Sequence, residues 1–274
     1  IGRTPHHAWS MQVGHAHTTD YYFHTQKADA KFKRLETIKV AGADDVTIPV
    51  YYTDEEPVIS PLPLIRETYA FEGTNPIVSW RYAHQGHEFK AMESFLDMAV
   101  AESMEEFAAG VEKVAVSQHF CYADREGNIA YWMSGRDPER YLGEWRLPQG
   151  SIPGVPAEDW VMDEKTGAYL LMDRSTDDNT PKGYYGGWNN KSHPDYNNAY
   201  NSINDIYGPF QRSHVIYEYL DRKVKKRRGD KLSFEEIRDL ALNIATTDSL
   251  GLGGNPWAFV GPYFSRAVWK ATWK

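Results

Sequence analysis

A single cysteine, Cys121, stands in the whole chain, so no intrachain disulfide can brace the fold and no cysteine-based zinc site can form. No uninterrupted apolar run reaches the roughly 18 residues of a spanning helix, so no membrane span is expected. Positive charge is in deficit: the net charge is −8, which gives a nucleic-acid partner no support. Internal repeats and low-complexity tracts are missing as well. What is present is an ordinary soluble composition, 41% apolar and 25% charged, with an aromatic share of 14% that suits a large core or an aromatic-lined cleft. The 274 residues can bury one large or two modest domains. The chain opens at Ile1 without Met or a signal peptide, and closes on the amphipathic stretch Ala267–Lys274. Both ends read as cut, and residues 1–274 are expected to be a single segment of a longer polypeptide.

Hydrophobic periodicity divides the chain. Residues 1–82 read as strands: Val46, Ile48, Val50 and Tyr52 alternate, with Pro49 suggesting an edge. Phe32–Val40 and Leu64–Phe71 are similar. From 88 the period changes, and Phe89, Met92, Phe95, Leu96 and Ala99 form one helical face. Ser103 and Glu106 make a capping box for a second helix, whose Gly110 costs about 1 kcal/mol against Ala, so packing must hold it. A hairpin follows at 117–133, its turn Asp124–Asn128 offering Gly127 and Asn128 for positive φ. Residues 135–207 show little periodicity, which in a compact domain points to a wrapped or site-lining segment. Residues 208–247 are helical again: Val215, Ile216 and Leu220 form one face, and a second helix is capped by Ser233 with Glu236 and carries Phe234, Ile237, Leu240, Ala241 and Ile244 along one side. This order predicts an α+β fold rather than an alternating parallel one.

The hairpin is followed in fixed order by Ser134-Gly-Arg, Arg146-Leu-Pro, Trp188-Asn-Asn and Gln211-Arg-Ser, and preceded by His7-Ala-Trp-Ser-Met. This ordered set resembles the penicillin acylase (penicillin amidase) family of N-terminal-nucleophile hydrolases over nearly the whole chain. The resemblance implies stacked antiparallel β-sheets flanked by helices, part of an αββα fold. It implies hydrolysis of an N-acyl amide through an acyl-enzyme on an N-terminal Ser whose own α-amine acts as base. That Ser is not in this segment, so the segment alone is expected to be inactive. The expected partners are a small-molecule N-acyl amide and the remaining parts of the same precursor, the small chain and the rest of the large chain. The expected location is periplasmic or secreted.

Carried over residue by residue, Asn189 matches the family's oxyanion-stabilising Asn, Val13 its backbone N–H donor, and Arg212 its active-site Arg. Met11, Phe95 and Gln118 fall where members line the acyl pocket. Members often bind calcium just after the backbone donor. Here that stretch reads Gly14-His-Ala-His-Thr-Thr-Asp20, which leaves Asp20 as the one hard ligand and puts His17 where an acid would be, so no metal or cofactor is expected.

Other readings of the residues compete. A non-catalytic binding domain of the same fold is one. A His-ligated metalloprotein is another, because His6, His7, His15, His17 and His24 lie close in sequence, and in strand conformation His15 and His17 would share a side, with Asp20 near. The run Arg222–Arg228 reads as the cationic end of a helix rather than a nucleic-acid patch. Cys121 reads as a core thiol, and Ser10 as structural, having no Asp–His pair to activate it.

Overall fold

The computed structural model describes residues 1–24, 31–53, 56–59, 77–140, 160–187, 189–194, 196, 211–227, 231–246 and 257–272. Its centre is an antiparallel five-stranded sheet in the order β1 (Gly2–Arg3), β2 (His7–Val13), β8 (Gln118–Asp124), β9 (Ile129–Met133) and β10 (Thr176–Asp178). The remaining strands form two smaller antiparallel sheets. One pairs β3 (Thr19–His24) with β7 (Ile77–Tyr82); the other runs β4 (Lys31–Ile38), β5 (Val46–Thr53), β6 (Glu56–Pro57). The described helices are α1 (Lys90–Val100), α2 (Met104–Glu112), α3 (Gln211–Arg227), α4 (Phe234–Thr246) and α5 (Trp257–Thr272). The α+β architecture expected from the sequence is the one observed. Among the described residues no helix is long and apolar enough to cross a membrane.

Strand alternation gives the central sheet two unlike faces. Trp9 and Trp132, aligned with Tyr122 and Phe120, share the face that packs on α1 and α2, with Met98, Phe107, Val111 and Val114. Phe107 is the hub of this core, its ring 4.9 Å from Tyr122, 5.1 Å from His7, 5.6 Å from Trp9 and 5.7 Å from Trp132. Burying one such side chain is worth roughly 2–3 kcal/mol. The opposite face carries Gln12, His119, Cys121 and Tyr131.

Local signals in the sequence have physical counterparts here. Ser103 caps α2 by accepting from Glu106 N–H at 3.2 Å, while the Glu106 carboxylate reaches back to Glu102 N–H at 2.8 Å. Ser233 and Glu236 exchange both bonds of the box at 3.2 and 3.0 Å. In the hairpin turn positive φ falls on Gly127, at +99°, and not on Asn128. Asn128 is instead held by Asp124, whose carboxylate accepts both its backbone and side-chain N–H at 2.8 Å. Pro49 lies in β5, which has β4 on one side; β6 covers only Tyr52 and Thr53 on the other, so among the described residues the strand is an edge along Pro49.

Two of the apolar helical faces are not simply core faces. The apolar stripe Phe89, Met92, Leu96 faces outward, and α1 buries Ser94 and Met98 instead, with Phe95 half-buried between. On α4 Leu240 is buried, whereas Phe234 and Ile237 are exposed. In each case the periodicity locates a helix correctly, but apolar residues occupy more than one side, so the pattern alone cannot choose the core face. The stretch Leu64–Phe71 lies outside the described residues.

Candidate functional site

Val13 ends β2 at the exposed margin of the central sheet. The next residue, Gly14, donates its N–H to Ser117 O at 3.0 Å, so its backbone groups face β8. Antiparallel ladders alternate, and the Val13 N–H and C=O therefore point the other way, to the outer side of β2. Ser134 N–H donates to Gln118 O at 2.8 Å, which fixes the same parity for Val13's partner. On that outer side β1 covers β2 only as far as Trp9. Among the described residues the edge of Met11–Val13 has no strand beside it.

Asn189 comes to this bare edge from the irregular segment after β10. Its Nδ2 donates to Val13 O at 3.0 Å. A carboxamide nitrogen carries two hydrogens, so this bond fixes the side chain and leaves it a second donor. The segment is braced from behind by α3, where Tyr217 OH donates to Gly186 O at 2.6 Å. The chain leaving Val13 is also pinned: Ala16 N–H donates to Ser117 Oγ at 3.0 Å, and Ala83 N–H to Thr18 O at 2.9 Å. Sequence reasoning missed Ser117, whose partner is 101 positions away. It marked Ser134-Gly-Arg as a landmark without a role. Ser134 Oγ donates to Val116 O at 2.7 Å and accepts from Gln118 N–H at 3.2 Å, clamping the start of β8.

Arg212 lies in the first turn of α3, and its side chain lies outside the described residues. Met11 and Gln118 fall on the sheet face that carries α1 and α2, and Phe95 packs against the core there. A cavity of about 630 Å³ opens on the opposite face, between Gln12, His119, Cys121 and Tyr131 of the sheet, Asn190, and Tyr217 of α3. Its wall thus contains the neighbours of both Val13 and Asn189, while Met11, Phe95 and Gln118 are not among its lining residues.

The cavity's titratable groups are set by burial. The His119 imidazole, 2.7 Å from Tyr131 OH through Nδ1, is pushed down to about 4, so it is neutral at ordinary pH. The Cys121 thiol is pushed up to about 11 by burial, against a hydrogen bond with Ser10, and has no thiolate to offer as a nucleophile.

The histidine-metal reading rests on strand geometry that does not exist. β2 ends at Val13, and His15 adopts a positive φ of 59°, so His15 and His17 are not alternate residues of one strand. His7 stacks on Tyr122 in the aromatic core, and His17 Nε2 lies 3.3 Å from Asp20 Oδ1. The His24 side chain lies outside the described residues.

A family model described as penicillin amidase matches residues 1–248. Penicillin G acylase of Escherichia coli is 27% identical over 177 residues, 64% of this chain and 19% of that protein. Among solved structures, a thermostable penicillin G acylase from Alcaligenes faecalis matches with a TM-score of 0.70 at 22% identity, over 97% of this chain and 45% of that one. At that identity the structural likeness concerns the fold. The chain spans less than half the length of these relatives.

Proposed function

The chain belongs to the penicillin amidase family, and from that membership we propose that it forms part of an amidohydrolase that cleaves an N-acyl amide. The observation that carries the reading is the Asn189 Nδ2 bond to Val13 O at 3.0 Å, because it brings a carboxamide with a second N–H to a strand edge that, among the described residues, has no strand beside it. In the proposed reaction the hydroxyl of an N-terminal Ser, supplied outside this segment, attacks the amide carbonyl. Its α-amine takes the proton and passes it to the leaving amine. The carbonyl oxygen becomes an oxyanion between the Val13 N–H and the free hydrogen of Asn189 Nδ2. Collapse expels the amine, and water then hydrolyses the acyl-enzyme through a second oxyanion at the same donors. Arg212 would orient groups around the nucleophile, and Met11, Phe95 and Gln118 would contribute to an acyl pocket on the sheet face that carries α1 and α2, apart from the cavity on the opposite face. We place the assembled enzyme in the periplasm or outside the cell.

The remaining parts of the precursor are the proposed partners. Support comes from α1, where Phe89, Met92, Leu96 and Val100 form an outward apolar stripe, each at least 69% exposed. Such a stripe on a folded surface favours coverage by another segment.

The test is Asn189→Ala in the complete enzyme. Losing one such donor is expected to lower kcat about 10²–10³-fold with little change in KM and unchanged melting. Near-normal turnover would sink the assignment. Arg212→Lys keeps the charge but loses the planar fork, and is expected to impair turnover or maturation; a variant normal in both would remove Arg212 from the site.

A further inference from the structure

The family resemblance raises calcium, and the donor set around Asp20 decides whether the ion fits. Asp20 is only 1% exposed. Its Oδ2 accepts from Arg140 Nη2 at 2.8 Å, Arg140 Nε at 3.2 Å and Trp160 Nε1 at 2.5 Å, and its Oδ1 lies 3.3 Å from His17 Nε2. The same guanidinium donates to the His17 carbonyl at 2.7 Å and to the Pro138 carbonyl at 3.3 Å. A carboxylate and two backbone carbonyls, from two places in the chain, thus converge on one cationic group. Hard cations select oxygen sets of this kind. Here the cation is a side chain. Both Asp20 oxygens face nitrogen, and the space between the carbonyls is filled by a planar guanidinium. A calcium ion would have to displace it or share a buried site with it, and burying a second uncompensated positive charge costs several kcal/mol. Calcium does not fit these residues.

We propose that Arg140 is a built-in replacement for a divalent cation, and that this chain holds by a guanidinium what a metal would otherwise hold. The flat fork suits the task, since its donors diverge in fixed directions toward three acceptors. The clamp ties the start of β3 to Pro138–Arg140 and to Trp160. It also gathers His17, four residues beyond Val13, and so anchors the segment that leaves the candidate oxyanion edge. On this reading the cluster around Asp20 needs no calcium to hold it together.

Thermal unfolding of the complete enzyme tests this, in the presence of EDTA, of millimolar calcium chloride, and of neither, alongside elemental analysis. The expected melting temperature is the same in all three, with no stoichiometric calcium. Arg140→Met, which strands a buried carboxylate, is expected to lower melting by at least about 5 °C. Arg140→Lys should recover only part of that loss, because one ammonium cannot span the three acceptors. Should Arg140→Met not accumulate, Trp160→Phe removes a single donor and is expected to melt lower by a smaller, calcium-independent amount. Chelation that lowers wild-type melting, restored by calcium, would overturn the proposal. So would Arg140→Lys or Arg140→Met melting like the wild type.

Discussion

Asn189 and Val13 stand 176 positions apart and meet through one hydrogen bond. Nothing local in the sequence announces that contact; Trp188-Asn189-Asn190 is good turn composition, and only its order among the other landmarks singled it out. Val13 was less legible still, since a backbone donor leaves no side-chain signature and depends on strand parity. His119 could be read only as a mid-strand residue. Burial makes it consequential for stability. Its folded value, about 4, lies below the 6.5 of the unfolded chain, so the unfolded state binds more protons between those values. The stabilisation is full above about pH 6.5 and is lost as pH falls toward 4, amounting to about 3 kcal/mol for this group. His7, His15, His84 and His87 are lowered by burial too and act in the same direction. Urea unfolding at pH 7.5 and 5.0 should show the loss, and His119→Gln should flatten it; an identical slope in the variant would mean that the imidazole is not neutral in the fold.

At the scale of elements, what the sequence carries most clearly is what is encoded within a few residues. The capping boxes at Ser103 and Ser233 and the turn glycine at 127 are recognisable because each is satisfied locally. Which face of α1 is buried is a tertiary decision, and the stripe of larger apolar residues lost it to Ser94 and Met98. The reason is visible at Gly110. A Cβ there would sit 2.7 Å from Met98 Cγ and 3.3 Å from Ser94 O, so α2 meets the Ser94–Met98 side of α1 through Gly110, closer than a larger side chain there allows. The glycine that looked costly for the helix is what permits the packing. Gly110→Ala is therefore expected to destabilise by about 1–3 kcal/mol, despite the better helix propensity of Ala. Chemical denaturation would measure it, and a neutral or stabilising result would mean that the helix pair is looser than described.

Across the whole molecule, the α+β class follows from the order of periodicities, because antiparallel sheets and helix pairs each have their own repeat. The three-way division into sheets does not, since register across β3–β7 or β2–β8 is a long-range choice. Nor could composition reveal how much apolar surface stays outward. The α1 stripe is the part of that surface most open to test. Leu96→Glu changes an exposed position and should leave the fold of this chain intact, yet weaken its co-purification with the rest of the precursor; undiminished assembly would show that the stripe meets solvent. The central claim concerns the strand edge, and it is tested most directly by a crystal structure of the complete enzyme with a tetrahedral boronate or phosphonate on its nucleophile. The account predicts the analogue's oxygen within about 2.7–3.1 Å of both the Val13 N–H nitrogen and Asn189 Nδ2. An oxygen held by other donors, with Asn189 turned away from Val13, would contradict it.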